Sequence, residues 1–196
     1  FELSDEEGNI LKRWFGGGLD LTPHYVNPDD ARYFHRELKK LCDNHDPNYY
    51  PDFKKWADDY FFLPHREETR GIGGIFFDRL GEKNGDLQKH FNFWKDTGSL
   101  FAPVYTELIK RNKNKTFSEQ NKQWQLLRRG RYVEFNLVYD KGTKFGLETD
   151  GRTESILMSL PPIANWVYNA QTAENSAEQF TQQHLKKDLD WISSNA

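Results

Sequence analysis

The stretch RGIGGIFF, residues 70–77, predicts a buried β-strand that the chain enters through glycines. Its apolar run is short and rich in bulky side chains, which favours a strand over a helix. The glycines at 71, 73 and 74 leave room for a flat ligand to lie against the sheet. A phosphate-binding loop is disfavoured, because no Gly-Lys-Ser/Thr sequence follows and the next element is a strand rather than a helix.

A second glycine-rich strand is predicted in ILKRWFGGGLDL, residues 10–21. Asp20 follows its glycine run, and Arg70 stands directly before the downstream glycines. An arginine fork beside open glycine backbone is suited to binding a carboxylate through two hydrogen bonds. Arg152 has a similar setting, because it comes directly after Gly151.

Helices are predicted on both sides of these strands. Asn27 is a good N-cap, Pro28 suits the first helical position, and the two acids that follow suit the positive end of the helix dipole. Apolar spacing and capping signals together predict helices over residues 28–42, 51–62, 87–110, 118–129 and 177–192.

The strongest β signal lies in residues 131–160. Alternation over 132–139, the Asp140-Lys-Gly-Thr turn and the Asp150-Gly151 pair together predict a three-stranded meander that ends near Leu160. Helices at both ends of an antiparallel sheet indicate an α+β fold rather than a doubly wound α/β fold. The length of 196 residues fits a single domain.

The composition excludes several classes of protein. A net charge of -3 gives no overall attraction to nucleic acid, and no apolar run approaches the roughly 18 residues of a membrane span. Cys42 is the only cysteine, so neither an intrachain disulfide nor a cysteine-rich zinc site is possible. Aromatic residues make up 15% of the chain, which favours a packed core and a flat ligand.

Several polar residues have two readings. The cluster of Arg128, Arg129 and Arg131 resembles a nucleic-acid patch, but solvated charge or intramolecular pairing is favoured because the chain has no basic surplus. Turn chemistry explains Asp140 about as well as function does. His35 and His65 lack the spacing of a helical zinc motif, so residues at the edge of the core are favoured over metal ligands.

Five blocks of sequence, taken in order, closely resemble the oxygen-dependent coproporphyrinogen III oxidases. They are WFGGGLDLTP (14–23), YPDFKKW (50–56), RGIGGIFFD (70–78), RGRYVEFN (129–136) and RTESILMS (152–159). The resemblance implies a broad antiparallel sheet flanked by helices and a homodimer formed through residues 132–166. It also implies that residues 1–196 are the C-terminal portion of the family's domain, with further sequence expected before Phe1.

The resemblance implies an activity as well. Two propionates of coproporphyrinogen III are converted to vinyl groups in haem biosynthesis, giving protoporphyrinogen IX. Molecular oxygen is the co-substrate and no organic cofactor is expected. The expected location is the cytoplasm, with the mitochondrial intermembrane space as the alternative. A non-catalytic porphyrin- or haem-binding module is the competing hypothesis.

The resemblance also assigns roles to individual residues. Asp20 and Arg70 are expected to line the substrate pocket, with Gly151 and Arg152 at a substrate-contacting turn. Asp140 is expected to act in catalysis together with Asp20. The matching histidines, His35 and His65, are assigned as metal ligands in bacterial members. Lys141 and Asp150 depart from the usual family residues.

Overall fold

The computed structural model describes residues 1–82 and 86–193 and combines short strands with longer helices. The strands are β1 (Glu2–Ser4), β2 (Ile10–Arg13), β3 (Phe15–Asp20), β4 (Phe62–Leu63), β5 (Glu68–Thr69) and β6 (Gly74–Leu80). The helices are α1 (Pro28–Asp43), α2 (Tyr49–Tyr60), α3 (Leu87–Asn112), α4 (Glu119–Glu134), α5 (Lys141–Glu148), α6 (Thr153–Leu157) and α7 (Ala177–Gln183). A π-helical segment, Phe135–Tyr139, follows α4. Within the described ranges, no helix is both long and apolar enough to cross a membrane.

The centre of the fold is the antiparallel pair of β3 and β6, in which Asp20 lies opposite Gly74 and Leu19 lies opposite Ile75. Across residues 1–82 and 86–193 the strands form three two-stranded sheets, since β1 pairs with β2 and β4 pairs with β5. Short antiparallel sheets with segregated helices make the fold α+β, as predicted. The breadth of the predicted sheet stays a prediction.

Backbone contact continues beyond the end of β3. The amide of Leu21 donates to the Gly73 carbonyl over 3.1 Å, and the amide of Ile72 donates to the Leu21 carbonyl over 3.0 Å. Gly71 has to be glycine here, because a Cβ at that position would lie 2.2 Å from the Leu21 carbonyl oxygen. The predicted close approach at these glycines is therefore made by the protein's own backbone.

The core lies where α1, α2 and α3 pack against β6. Phe77 of β6 is buried, with its ring centroid 5.3 Å from that of Phe53 in α2 and 5.0 Å from that of Phe93 in α3. Leu38 of α1 and Ile75 of β6 are fully buried in the same cluster. Burying side chains of this size contributes about 1.5 to 3 kcal/mol each.

Most of the helix predictions are confirmed, with corrected ends. Helix α1 begins at Pro28, and the Asn27 side chain accepts the amides of the next two acids, as a good N-cap does. Helix α2 lies two residues earlier than predicted, and Trp56 on it is 41% exposed. The predicted terminal helix is too long, because α7 ends at Gln183.

The predicted meander over residues 131–160 is wrong, because this region is helical. Helix α4 starts at a capping box in which Ser118 and Asn121 satisfy each other's backbone amides, and it continues to Glu134. The π-helical segment then leads through Asp140 into α5. Phe135 is buried while Leu137 is 46% exposed, so the apolar alternation marks one face of a helix rather than one face of a sheet.

The two predicted turns are the two ends of α5. Asp140 is the N-cap, since its Oδ2 accepts from the amide of Thr143 over 2.7 Å. At the other end Asp150 has a φ of 57°, and the Gly151 amide donates to the Gly146 carbonyl over 2.9 Å. This 6→1 hydrogen bond is that of a Schellman motif, which uses the same residue types as a hairpin turn.

The close approach at Gly71 generates a prediction about stability. Replacing Gly71 with alanine is expected to lower the free energy of unfolding by about 2 to 3 kcal/mol, because backbone must move to admit the methyl group. Gly98 in α3 is the matched control, because a Cβ there meets nothing within 4 Å. The Gly98→Ala variant should be more stable by up to about 1 kcal/mol in urea denaturation. Equal stability of the two variants would contradict this description of the strand end.

Candidate functional site

Arg70 lies between β5 and β6 in a cage of aromatic rings. Its guanidinium carbon is 4.0 Å from the ring centroid of Phe61, 4.9 Å from that of Phe135 and 5.4 Å from that of Tyr132. The residue is only 8% exposed. A guanidinium over an aromatic face is attracted to the ring by about 2 kcal/mol when water is excluded, so three rings hold this side chain in one orientation.

The charge of Arg70 is compensated by Asp20, which lies fifty residues earlier in the chain. Nη2 of Arg70 donates to Oδ2 of Asp20. The Asp20 side chain is 27% exposed, so the carboxylate can be reached from outside. The structure therefore brings these two predicted site residues into direct contact.

One polar atom of Arg70 is left without a partner. Its Nε is buried and has no hydrogen-bond partner among the described residues. Leaving a buried donor unpaired costs about 1 to 3 kcal/mol, so an unpaired group of this kind calls for a specific explanation. Packing alone does not explain why a charged fork is placed here.

Asp140 is held by three hydrogen bonds. Its Oδ1 accepts from the Tyr60 hydroxyl over 2.8 Å, and its Oδ2 accepts from both the amide and the hydroxyl of Thr143. Burial, followed by the hydrogen bond to Asp140, raises the pKa of Tyr60 to about 12. Tyr60 therefore keeps its proton at neutral pH and acts as the donor.

The surroundings of Asp140 and Arg70 are connected through one aromatic cluster. The Phe135 ring packs against Tyr60 with centroids 5.8 Å apart and also lies under the Arg70 guanidinium. Phe61 contacts both Tyr60 and Arg70. The structure thus brings Asp20, Arg70 and Asp140 into one region around these rings.

Gly151 and Arg152 make none of the contacts described for that region. Gly151 closes the end of α5, and Arg152 is the exposed N-cap residue of α6. The Arg152 side chain makes no hydrogen bond or ion pair with any described residue. The structure does not bring Arg152 into contact with Asp20 or Arg70.

His35 and His65 are occupied by other partners. Nδ1 of His35 lies 3.0 Å from the Tyr50 hydroxyl and its Nε2 lies 2.9 Å from the Ile72 carbonyl, and the ring is fully buried. Burial lowers the pKa of His35 to about 4. Both nitrogens of His65 also have partners, and the described part of the chain contains no group of three or more potential metal ligands. As they stand, these residues do not fit a shared metal ion, and metal binding stays a prediction.

His65 belongs instead to a polar network around Glu134. Oε2 of Glu134 lies 2.8 Å from Nε2 of His65, and the same carboxylate accepts two hydrogen bonds from Arg66. Arg131 and Trp166 also donate to it, over 3.1 Å and 3.0 Å. The network joins the turn after β4 to α4 and to the segment that contains Trp166.

Sequence analysis missed Tyr60 and Glu134 as partners of site residues. Tyr60 lies within the helix predicted over residues 51–62 from apolar spacing, and that spacing gives no signal for its hydroxyl as a donor. Glu134 had no signal of its own inside the predicted strand 132–139. Because that stretch is helical, the three-residue spacing of Arg131 and Glu134 places them on the same face, where they form an ion pair.

The chain is similar to known proteins over nearly all of its length. It matches the family model described as coproporphyrinogen III oxidase over residues 1–191. It is 52% identical to the oxygen-dependent coproporphyrinogen-III oxidase of Francisella tularensis subsp. tularensis (strain FSC 198), over 91% of this chain and 57% of that protein. The enzyme of the same name from Drosophila melanogaster is 51% identical over 98% of this chain and 49% of its own length. The human enzyme, named as mitochondrial, is 52% identical over 98% of this chain and 42% of its own length. The chain thus spans about half the length of these relatives.

The Glu134 network generates a prediction about pH. Burial raises the pKa of Glu134, but hydrogen bonds from Arg66 and His65 and the charge of Arg131 outweigh this and lower the pKa to about 2. A lowered folded-state pKa stabilises the fold above the ordinary value of 4.5, and that contribution is lost as the pH falls toward 2.

Glu134→Gln should therefore be less stable than the unsubstituted protein at pH 7, and the difference should shrink as the pH falls from about 5 to about 2. Urea denaturation at several pH values measures this. The exposed Glu6, substituted in the same way, should change stability little at any pH. A Glu134→Gln deficit that stays constant with pH would contradict the assigned cause.

Proposed function

Because the chain belongs to the coproporphyrinogen III oxidase family, we propose that it acts in the oxygen-dependent decarboxylation of coproporphyrinogen III. In this reaction two propionates become vinyl groups and the product is protoporphyrinogen IX, within haem biosynthesis. The observation that carries the proposal is the contact between Asp20 and the caged Arg70, in two glycine-rich blocks that lie within the residues matched by the family model.

The reaction balances without an organic cofactor. For each propionate, the bond to the carboxylate carbon breaks and its electron pair forms the vinyl double bond. A hydride equivalent leaves the carbon next to the pyrrole, and oxygen takes it up with one proton to give hydrogen peroxide, while CO2 is released. The protein therefore has to bind the substrate, accept a proton and stabilise charge.

Asp20 is the best placed of the described carboxylates to contact a pyrrole N–H. It is partly exposed, and Arg70 binds only its Oδ2 among the hydrogen bonds described above. Arg70 fixes the orientation of this carboxylate through its hydrogen bond to Oδ2, and its guanidinium charge attracts a substrate carboxylate. Accepting the pyrrole proton makes the ring easier to oxidise, and the proton returns from Asp20 to the pyrrole nitrogen as CO2 leaves.

Asp140 has a different role in this proposal. Three of the roughly four lone-pair positions of a carboxylate are already used by Tyr60 and Thr143. Its negative charge is held in place beside the aromatic cluster. Positive charge develops on the pyrrole as the hydride leaves and before proton transfer to Asp20 is complete, and a fixed carboxylate stabilises charge that develops in this way.

We further propose a homodimer formed through residues 132–166, with Gly151 and Arg152 at a substrate-contacting turn. The support is that this region exposes several large apolar side chains, namely Leu137, Val138, Phe145, Met158, Ile163 and Trp166. The proposed compartment is the cytoplasm. The mitochondrial intermembrane space is kept as the alternative because the human and rat relatives are named mitochondrial.

The function is tested by turnover in air. Arg70→Met in the full-length protein keeps most of the packing against the three rings but removes the charge. We expect this variant to stay folded and to lose at least about 100-fold in kcat/KM for coproporphyrinogen III, measured as oxygen-dependent CO2 release. Unchanged turnover would remove Arg70 from the site. Haem binding by a protein that releases no CO2 would favour the haem-binding module.

The role of Asp140 is tested by separating charge from capping. Asn is as good an N-cap as Asp, so Asp140→Asn should keep α5 intact while removing the charge. We expect kcat to fall about 10- to 100-fold with little change in KM. Asp140→Ala should also lower stability by about 1 kcal/mol through loss of the cap. If only the alanine variant loses activity, Asp140 has a structural role alone.

A further inference from the structure

Arg129 differs from the two arginines that flank it in sequence. Arg128 is buried and donates to Glu68 over 2.8 Å, and Arg131 pairs with Glu134 over 3.1 Å. The prediction of intramolecular pairing is therefore confirmed for Arg128 and Arg131. Arg129 is only partly buried, and no described residue forms an ion pair or hydrogen bond with its side chain.

The Arg129 side chain lines a cavity of about 220 Å³. Thr22, His24, Tyr132, Ser159, Pro161 and Arg128 line it as well. The hydroxyls of Thr22 and Ser159 make no hydrogen bond with any described residue. Three of the lining residues therefore carry a cation or a hydroxyl without a partner among the described residues, and these are groups that bind an anion.

The electrostatics of the cavity agree with this geometry. Burial, followed by the charges of Arg129, Arg128 and Lys122, lowers the pKa of His24 to about 4. His24 is therefore neutral at pH 7 and adds no charge of its own. Arg128 is compensated by Glu68, so Arg129 is the cation in the cavity lining without a described counter-ion.

The cavity lies next to the Asp20 and Arg70 site. Tyr132 lines the cavity while its ring also packs against the Arg70 guanidinium, with 5.4 Å from the guanidinium carbon to the ring centroid. Thr22, which also lines the cavity, comes two residues after Asp20. A ligand held by Arg70 and Asp20 can therefore extend an arm past Tyr132 to Arg129.

The segment that carries Ser159 and Pro161 is attached firmly to α4. The Asn165 amide donates to the Leu126 carbonyl over 3.0 Å. A Cβ on Gly130 would lie 2.5 Å from the Asn165 carbonyl oxygen, so the segment packs directly on the helix backbone. The wall of the cavity that contains Ser159 and Pro161 is therefore connected to a segment packed on α4.

We propose that Arg129 binds the carboxylate of one propionate arm of the tetrapyrrole, with Thr22 and Ser159 as additional donors. This inference rests on the proposed function and adds a third anchoring group to it. The space equals about seven water molecules at roughly 30 Å³ each, enough for a carboxyethyl group but not for the macrocycle.

The test is direct binding to the full-length protein. Coproporphyrin III, the oxidised and unreactive form with four carboxylates, and its tetramethyl ester are titrated against the unsubstituted protein, Arg129→Gln and Arg129→Lys. Fluorescence quenching gives Kd. Arg36→Gln is the matched control. Arg36 is exposed and lies on α1 outside the cavity lining, and its substitution changes the net charge by the same amount as Arg129→Gln does.

Arg129→Gln should raise Kd for coproporphyrin III about 10- to 100-fold, as expected for loss of a charge-assisted pair. It should leave Kd for the ester unchanged. Arg129→Lys should be intermediate, because it keeps the charge but loses the fork. The Arg36→Gln variant should bind like the unsubstituted protein.

Two results would overturn the inference. One is an unchanged Kd for coproporphyrin III in Arg129→Gln, and the other is an equal loss for the acid and the ester. Failure of the proposed function is a separate outcome, since it appears as absence of oxygen-dependent CO2 release by the unsubstituted protein. A protein that turns over normally but binds coproporphyrin III equally well without Arg129 would contradict the role of Arg129 alone.

Discussion

A guanidinium buried among aromatic rings has to have its charge compensated, and the arrangement around Arg70 meets that constraint. Removing a charge from water costs several kcal/mol unless a well-placed counter-ion and favourable contacts offset the loss. Asp20 supplies the counter-ion, and Phe61, Tyr132 and Phe135 supply the contacts. These partners come from three separate parts of the chain, around residues 20, 61 and 132–135, so the pair forms only when these parts are assembled.

The register of the central strands brings this pair together. Asp20 lies opposite Gly74, and the backbone pairing continues through Leu21 to Ile72, two residues after Arg70. The same Phe135 that lies under Arg70 also packs on Tyr60, the donor to Asp140. The ion pair, the aromatic packing and the backbone pairing therefore share residues around Arg70. A substitution that disturbs one of them is expected to disturb the other two.

The parts of the site that sequence analysis found were those with a local signal. Asp20 and Arg70 stand beside glycine runs, and those runs reflect backbone packed too closely for a side chain. The meander over residues 131–160 was wrong because Asp140 and the Asp150-Gly151 pair serve equally well at helix ends and in hairpin turns. Hydrogen-bond partners far apart in sequence, such as Tyr60 and Asp140, leave no pattern in a single sequence.

The central claim is that the Asp20 and Arg70 pair contacts the tetrapyrrole. A crystal structure of the full-length protein, grown without oxygen in the presence of coproporphyrinogen III, tests it most directly. The claim predicts a pyrrole nitrogen within about 3 Å of an Asp20 carboxylate oxygen, with a propionate at Arg70. A macrocycle bound elsewhere, with Asp20 and Arg70 still paired only to each other, would contradict it.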